Sequence, residues 1–140
     1  MSVDTEASLA PATKFIRIAP SGRAHIEGYR CGNCGAAFLA QPIACPRCTT
    51  RGGFTAFEAS KRGVVHTYSI VHRSYPGVKT PFISVIVDLD DGLVLKGNLE
   101  GVEPKPSKDL FGMPIQVAFK TLEQKNASGA PYVTYYFEPA

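Results

Sequence analysis

The sequence predicts an all-β fold in two successive parts: an N-terminal ribbon built on cysteines, then a small five-stranded Greek-key barrel. Three observations point there. The cysteines Cys31, Cys34, Cys45 and Cys48 all lie in "RCGNCGAAFLAQPIACPRC", as two CxxC pairs separated by ten residues. From Gly63 onward, β-branched and apolar residues alternate with polar ones at the period of a strand. The longest non-strand connection in that half falls between its third and fourth strand candidates, as in a barrel of the OB type.

The chain has 140 residues and a formal net charge of +3, which suits one modest domain or two small ones. No apolar run approaches the roughly 18 residues that a membrane span needs. "MSVDTEASLAPATK" places Asp4 and Glu6 where a secretory signal would be basic and then apolar, so a cytoplasmic protein is expected. Disulfides rarely persist in a reducing compartment, and paired thiols there point to metal. The positive charge is unevenly spread. Residues 1–62 hold eight Lys/Arg against four Asp/Glu, and residues 63–140 hold seven against eight. The excess belongs to the cysteine half alone.

The expected organisation is a flexible tail over 1–14, a zinc ribbon over 15–62 and an OB-fold over 63–140. "FIRIA" (15–19) and "RAHIEGYR" (23–30) read as strands around a turn at Pro20–Gly22 and lead into the first CxxC. Gly35, just after that pair, can take the positive φ such a turn wants. Pro46 stiffens the second pair by fixing its own φ. Two such turns facing each other bring four thiolates to one point, which suits tetrahedral zinc with no open position, a structural rather than a catalytic site. An iron centre of the rubredoxin type has similar spacing. The apolar "AAFLAQPIA" between the pairs can form the ribbon's hairpin. His25 reads as a surface strand residue rather than a ligand. The stretch 49–63 leaves through a Gly pair and a short strand, with Lys61 and Arg62 at a solvated turn.

In the second half "GVVHTYSIVHR" (63–73) is a long strand candidate. "PFISVIVDLD" (81–90) should turn Ile83, Val85, Val87 and Leu89 to one face. Asp91-Gly92 signals a tight hairpin into 93–101, where Leu93, Leu95 and Leu99 share a face with Gly97. Ser107 can cap one helical turn, Lys108–Phe111. "MPIQVAFKTL" (113–122) returns with Ile115, Val117 and Phe119 inward. Polar 123–130 then turns the chain into the aromatic strand 131–139. Gly63, Gly92, Gly97 and Gly112 sit where barrel corners use glycine. An open sheet or an SH3-like barrel fits the same strands.

The order of these features resembles one family. The cysteine stretch, then "GVVHTYSIVHR", "PFISVIVDLDDGLVLKGNLEG" and "FGMPIQVAFKTL" are together similar to members of the DUF35 family, rubredoxin-like zinc ribbons fused to an OB-fold, over roughly residues 23–138. That resemblance implies a small non-catalytic partner of a thiolase-fold enzyme, or of a hydratase or retro-aldolase, acting on acyl-CoA. Many members begin with a longer helical segment, where this chain offers a short tail and a strand-like start.

Three functions follow for weighing. As a binding subunit of an acyl-CoA enzyme, the chain would use the loop "RSYPGVKTP" (73–81), where Arg73 and Lys79 could meet CoA phosphates and Tyr75 and Pro76 could pack on a partner. Phe38 and Leu39 of the ribbon offer apolar contact surface. A nucleic-acid module is the alternative, since ribbon and barrel both occur in such proteins. Single-strand binding wants a basic groove with stacking aromatics, whereas the barrel half is net negative and carries Asp88, Asp90 and Asp91 near its hairpin. An independent enzyme is the third. His66 and His72, six apart on one strand, should share a face, but no base, nucleophile or phosphate loop accompanies them. No activity is expected of the chain alone. Asn126-Ala127-Ser128 fits a glycosylation sequon without meaning in a cytoplasmic chain.

Overall fold

The alternation of "FISVIVDL" decides the centre of the fold. In the computed structural model, which describes residues 9–125 and 129–140 (side chains of 123–125 aside), strand β7 spans Phe82–Leu89 and buries Ile83, Val85, Val87 and Leu89. The outward positions between them stay half or fully exposed. β6 (Arg62–Val71) and β8 (Val94–Leu99) flank it, both antiparallel. The β7–β8 turn is the expected hairpin. Gly92 takes φ +97°, and its N–H reaches Leu89 O at 3.0 Å. The Asp91 carboxylate accepts from the backbone N–H of Leu93 at 3.1 Å and of Ser60 at 2.5 Å.

Two longer strands complete the circuit. β9 (Pro114–Lys125) pairs with β6 through Gln116, Ile115 and Pro114. β10 (Pro131–Pro139) pairs with β8 at Phe137 and Leu99, and β9 and β10 also pair with each other. The order β9-β6-β7-β8-β10 is therefore closed, a five-stranded barrel of the OB type rather than an open sheet. Its core includes Val65, Leu93, Leu95, Leu110, Ile115, Val117 and Phe137, each nearly inaccessible. The connection over 100–113 contains the expected turn: a 3₁₀ helix at Lys108–Leu110, whose cap Ser107 accepts from Asp109 N–H at 3.1 Å. The Tyr68 hydroxyl holds it by accepting from Ser107 N–H at 2.9 Å.

The cysteine half is a second, smaller sheet. β2 (Ile16–Ile18) and β3 (Ala24–Cys31) form the expected hairpin. β5 (Phe54–Glu58) pairs along Glu27–Cys31 of β3. The apolar run between the cysteine pairs yields only β4 (Ala37–Phe38), opposite Tyr29 and Arg30, and a bridge from Ala44 to Arg51.

Several observations differ from the sequence expectation. β1 (Ala10–Pro11) runs parallel to β10, against Tyr132 and Val133, within the stretch expected as a tail. Two-residue pairings leave no periodic signal, which is why it is invisible in the sequence. Residues 1–8 of that expected tail, and the Asn126–Ser128 sequon, lie outside the described residues. β9 runs on to Lys125, past the expected end at 122, because pairing can hold a polar segment that lacks an apolar pattern. The chain forms two compact units. Of the described residues, one takes those up to Ala59 together with those between Phe119 and Tyr135, and the other takes Ser60–Ala118 with Tyr136–Ala140. Within that first unit the Phe15 and Tyr135 rings meet at 5.6 Å. Among the described residues, no helix is long and apolar enough to cross a membrane.

Candidate metal centre

Each CxxC pair folds into the same backbone turn. Gly35 N–H bonds to Cys31 O at 2.9 Å, and Thr49 N–H bonds to Cys45 O at 2.8 Å. Cys31 N–H bonds to Ala36 O, and Cys45 N–H bonds to Thr50 O, both at 2.8 Å. The residue after each pair must turn left-handed, with φ +79° at Gly35 and φ +67° at Thr49. Glycine does this without penalty; a β-branched threonine does it only where the surroundings compel it. The Thr49 hydroxyl donates to Cys48 O at 2.6 Å, which ties the strained residue back to the turn.

Two such knuckles facing each other bring the four sulfurs within 4.8 Å of one another. Cys31 and Cys48 approach to 3.7 Å, and Cys34 and Cys45 to 3.6 Å, too far for a disulfide. Tetrahedral Zn–S bonds of about 2.3 Å would place sulfurs about 3.8 Å apart, so the donor set and spacing fit such an ion. The four cysteines are able to hold a metal ion, and their geometry is compatible with zinc.

The surroundings favour thiolates unevenly. The Asn33 side-chain amide, 3.4 Å from Cys48 Sγ, and hydrogen bonds from Thr50 pull Cys48 down to about 5. Backbone N–H groups of Cys34 and Asn33 lower Cys31. At Cys34 the Ala36 N–H also pulls down, but burial and the neighbouring sulfurs outweigh it and raise the thiol to about 11. A bound metal would remove this competition by taking all four as thiolates. Cys31 and Cys45 are each 1% exposed. Arg30 braces the first knuckle: its Nη1 donates to Gly35 O at 2.8 Å, and its guanidinium lies 4.8 Å above the Phe57 ring. Arg30, Asn33 and Thr49 were not singled out from the sequence. The one legible clue was at Thr49, which occupies the place in the second pair that Gly35 occupies in the first.

Outside this cluster the candidate residues are placed as follows. Arg73 and Lys79 lie exposed in the loop that joins β6 and β7, together with Tyr75, 84% exposed. Phe38 and Leu39 are half-buried. His25 is half-buried on β3, and its Nδ1 is buried with no hydrogen-bond partner. His66 and His72 do not share a face as expected. A β-bulge between Val65 and Thr67 breaks the alternation of β6, and His72 lies beyond the end of that strand. His66 Nδ1 instead meets Asp88 Oδ2 at 2.8 Å, both side chains exposed. Tyr68 is engaged with Ser107 and packs on Phe111 at 5.0 Å.

Residues 57–120 match the family model described as the ChsH2 C-terminal OB-fold domain. A DUF35 domain-containing scaffold protein of Methanocaldococcus jannaschii is 29% identical over 114 residues, 80% of this chain and 79% of that protein. Another from Pyrococcus furiosus is 30% identical over 114 residues, 80% of this chain and 81% of its own. The benzoylsuccinyl-CoA thiolase subunit BbsA of Thauera aromatica is 29% identical over 117 residues, covering 83% of this chain and 78% of that subunit. Among solved structures, a chain of the Ltp2-ChsH2(DUF35) aldolase superposes with TM-score 0.62 at 24% identity, over 82% of this chain and 84% of that one, which shows a shared fold. With ribbon and barrel both present in the expected order, and with relatives aligned across both, the chain belongs to the DUF35 family.

Proposed function

We propose that this protein is a non-catalytic, zinc-containing subunit that binds and supports a thiolase-fold enzyme forming or cleaving a C–C bond in an acyl-CoA. The observation that carries this reading is the likeness, across four-fifths of the chain, to a protein named as a subunit of benzoylsuccinyl-CoA thiolase. The metal centre supports it. Four thiolates from Cys31, Cys34, Cys45 and Cys48 would fill all four positions on one zinc per chain and leave none for water or substrate. Its role is then to hold the knuckles, and chemistry belongs to the partner. The four free thiols also suit a reducing, cytoplasmic setting. Arg73 and Lys79, exposed on the β6–β7 loop, are the groups we assign to the phosphates of a CoA thioester shared with that partner.

The test is reconstitution. The purified chain should show no thiolase turnover alone, while a thiolase-type enzyme encoded beside it should need the chain for solubility or activity. Phe38→Glu should weaken their complex with zinc content unchanged. A partner that is fully active without the chain, together with single-stranded DNA binding by the chain at moderate salt, would replace this reading with a nucleic-acid module.

A further inference from the structure

One edge of β3 is shared by β2 and β4. Backbone N–H groups alternate sides along a strand. Glu27 N–H points to Phe15 O at 2.8 Å, and Cys31 N–H points to Ala36 O at 2.8 Å, so both face one edge. The other edge is taken by β5, from Glu27 to Cys31. β2, opposite Ala24–Ile26, and β4, opposite Tyr29 and Arg30, therefore lie end to end along a single edge. A groove of about 460 Å³ lies here, lined by residues that include Lys14, Phe15, Arg17, Glu27, Tyr29 and Leu39. That volume is within the range of about 300–1,000 Å³ usual for binding sites.

Three of the polar side chains in the groove, Arg17, Glu27 and Tyr29, are occupied with one another, while Lys14 and Gln41 are exposed. Arg17 Nε donates to Glu27 Oε2 at 3.1 Å, and the Tyr29 hydroxyl donates to the same oxygen at 3.0 Å. Phe15, Tyr29 and Leu39, all half-buried, supply apolar walls, and Lys14 stands exposed at the rim. The charged residues that line the groove are Lys14, Arg17 and Glu27, two cations against one carboxylate. That carboxylate is bound by Arg17, which leaves Lys14 as the excess charge.

We propose that this groove receives an apolar side chain from an acid-flanked segment of a partner protein. The identity of that partner rests on the accessory-subunit reading above. A small ligand would need convergent polar groups to orient it, and here the Arg17–Glu27–Tyr29 set is committed internally. An anchoring side chain needs only the apolar walls. Acids beside the anchor find Lys14, and that charge complementarity governs partner choice and encounter rate.

Three labelled peptides test this on the full-length, metal-loaded chain by fluorescence anisotropy: a leucine flanked by glutamates, the same leucine flanked by lysines, and an alanine flanked by glutamates. The glutamate-flanked leucine should bind at least about tenfold more tightly than either other peptide. Lys14→Glu should reverse the preference between glutamate and lysine flanks, and Leu39→Arg should abolish leucine-dependent binding, both with unchanged metal content. The same two variants should weaken the complex with the thiolase-type enzyme. Equal or absent binding of all three peptides would overturn the proposal. So would displacement of the preferred peptide by free CoA, or wild-type self-association that Leu39→Arg removes. Failure of the wild-type chain to bind the enzyme, with the peptide preference intact, would remove the accessory-subunit reading and uphold the groove. An enzyme complex untouched by both variants, without peptide preference, would do the reverse.

Discussion

At Gly35 the backbone holds φ +79°, and an added Cβ would meet nothing within 4 Å. At Gly63 the φ is unremarkable, but a Cβ would stand 2.3 Å from Asp88 O and 2.8 Å from Leu89 Cα, both backbone atoms that cannot swing aside. The two glycines are needed for different reasons, and the sizes differ accordingly. Gly35→Ala should cost about 1–2 kcal/mol of ribbon stability from the left-handed backbone alone. Gly63→Ala must part β6 from β7 and should cost about 3 kcal/mol or more. Denaturant titration of both variants checks this. A Gly63→Ala protein as stable as Gly35→Ala would mean that β6 and β7 do not approach as described. From the sequence, both glycines read only as turn or corner positions, since close approach of two strands is not written in either one.

β7 is the element in which sequence and structure agree residue by residue. Val85 is 1% exposed and faces Tyr68 and Gly97 on the flanking strands, while Ser84 lies on the other face beside Ser69 and Asn98. Val85→Asp would bury a carboxylate without a partner and should destabilise by more than about 4 kcal/mol. Ser84→Asp should stay within about 1 kcal/mol. Thermal melts of the pair decide it, and equal tolerance would place the strand in the wrong register. β6 was less legible than β7, because its bulge at His66 adds a residue to the alternation. A period-two pattern read straight through such a bulge puts the later residues of the strand on the wrong face.

For the whole molecule, the question is how far the two units depend on each other's cores. The barrel buries Val85, Val87, Leu95, Ile115 and Phe137 without the cysteines, whereas the knuckles around Cys31 and Cys45 are closed by short turns, where a structural metal would couple binding to folding. Cys34→Ser should therefore lower zinc from one per chain to none. Amide protection should disappear over 31–51 while β7 and β8 remain protected in hydrogen exchange. Uniform loss of protection would make the chain one cooperative unit. Iron with a rubredoxin-like spectrum in the wild-type protein would replace zinc as the resident metal.

By itself the sequence determined what depends on local pattern. Two CxxC pairs announced the knuckles, and alternation from Ile83 to Leu89 and at Leu93, Leu95 and Leu99 set the inward faces. Asp91-Gly92 marked the hairpin, and Ser107 marked the cap of a single helical turn. Such signals survive because one turn or one period of a strand imposes them on residues next to each other. Only the tertiary structure decided the pairing of β1 with β10, the bracing of Arg30 on Phe57 and the groove where β2 and β4 meet along β3. Each of these arises from separate segments of the chain brought together by folding. No spacing of residue types encodes them.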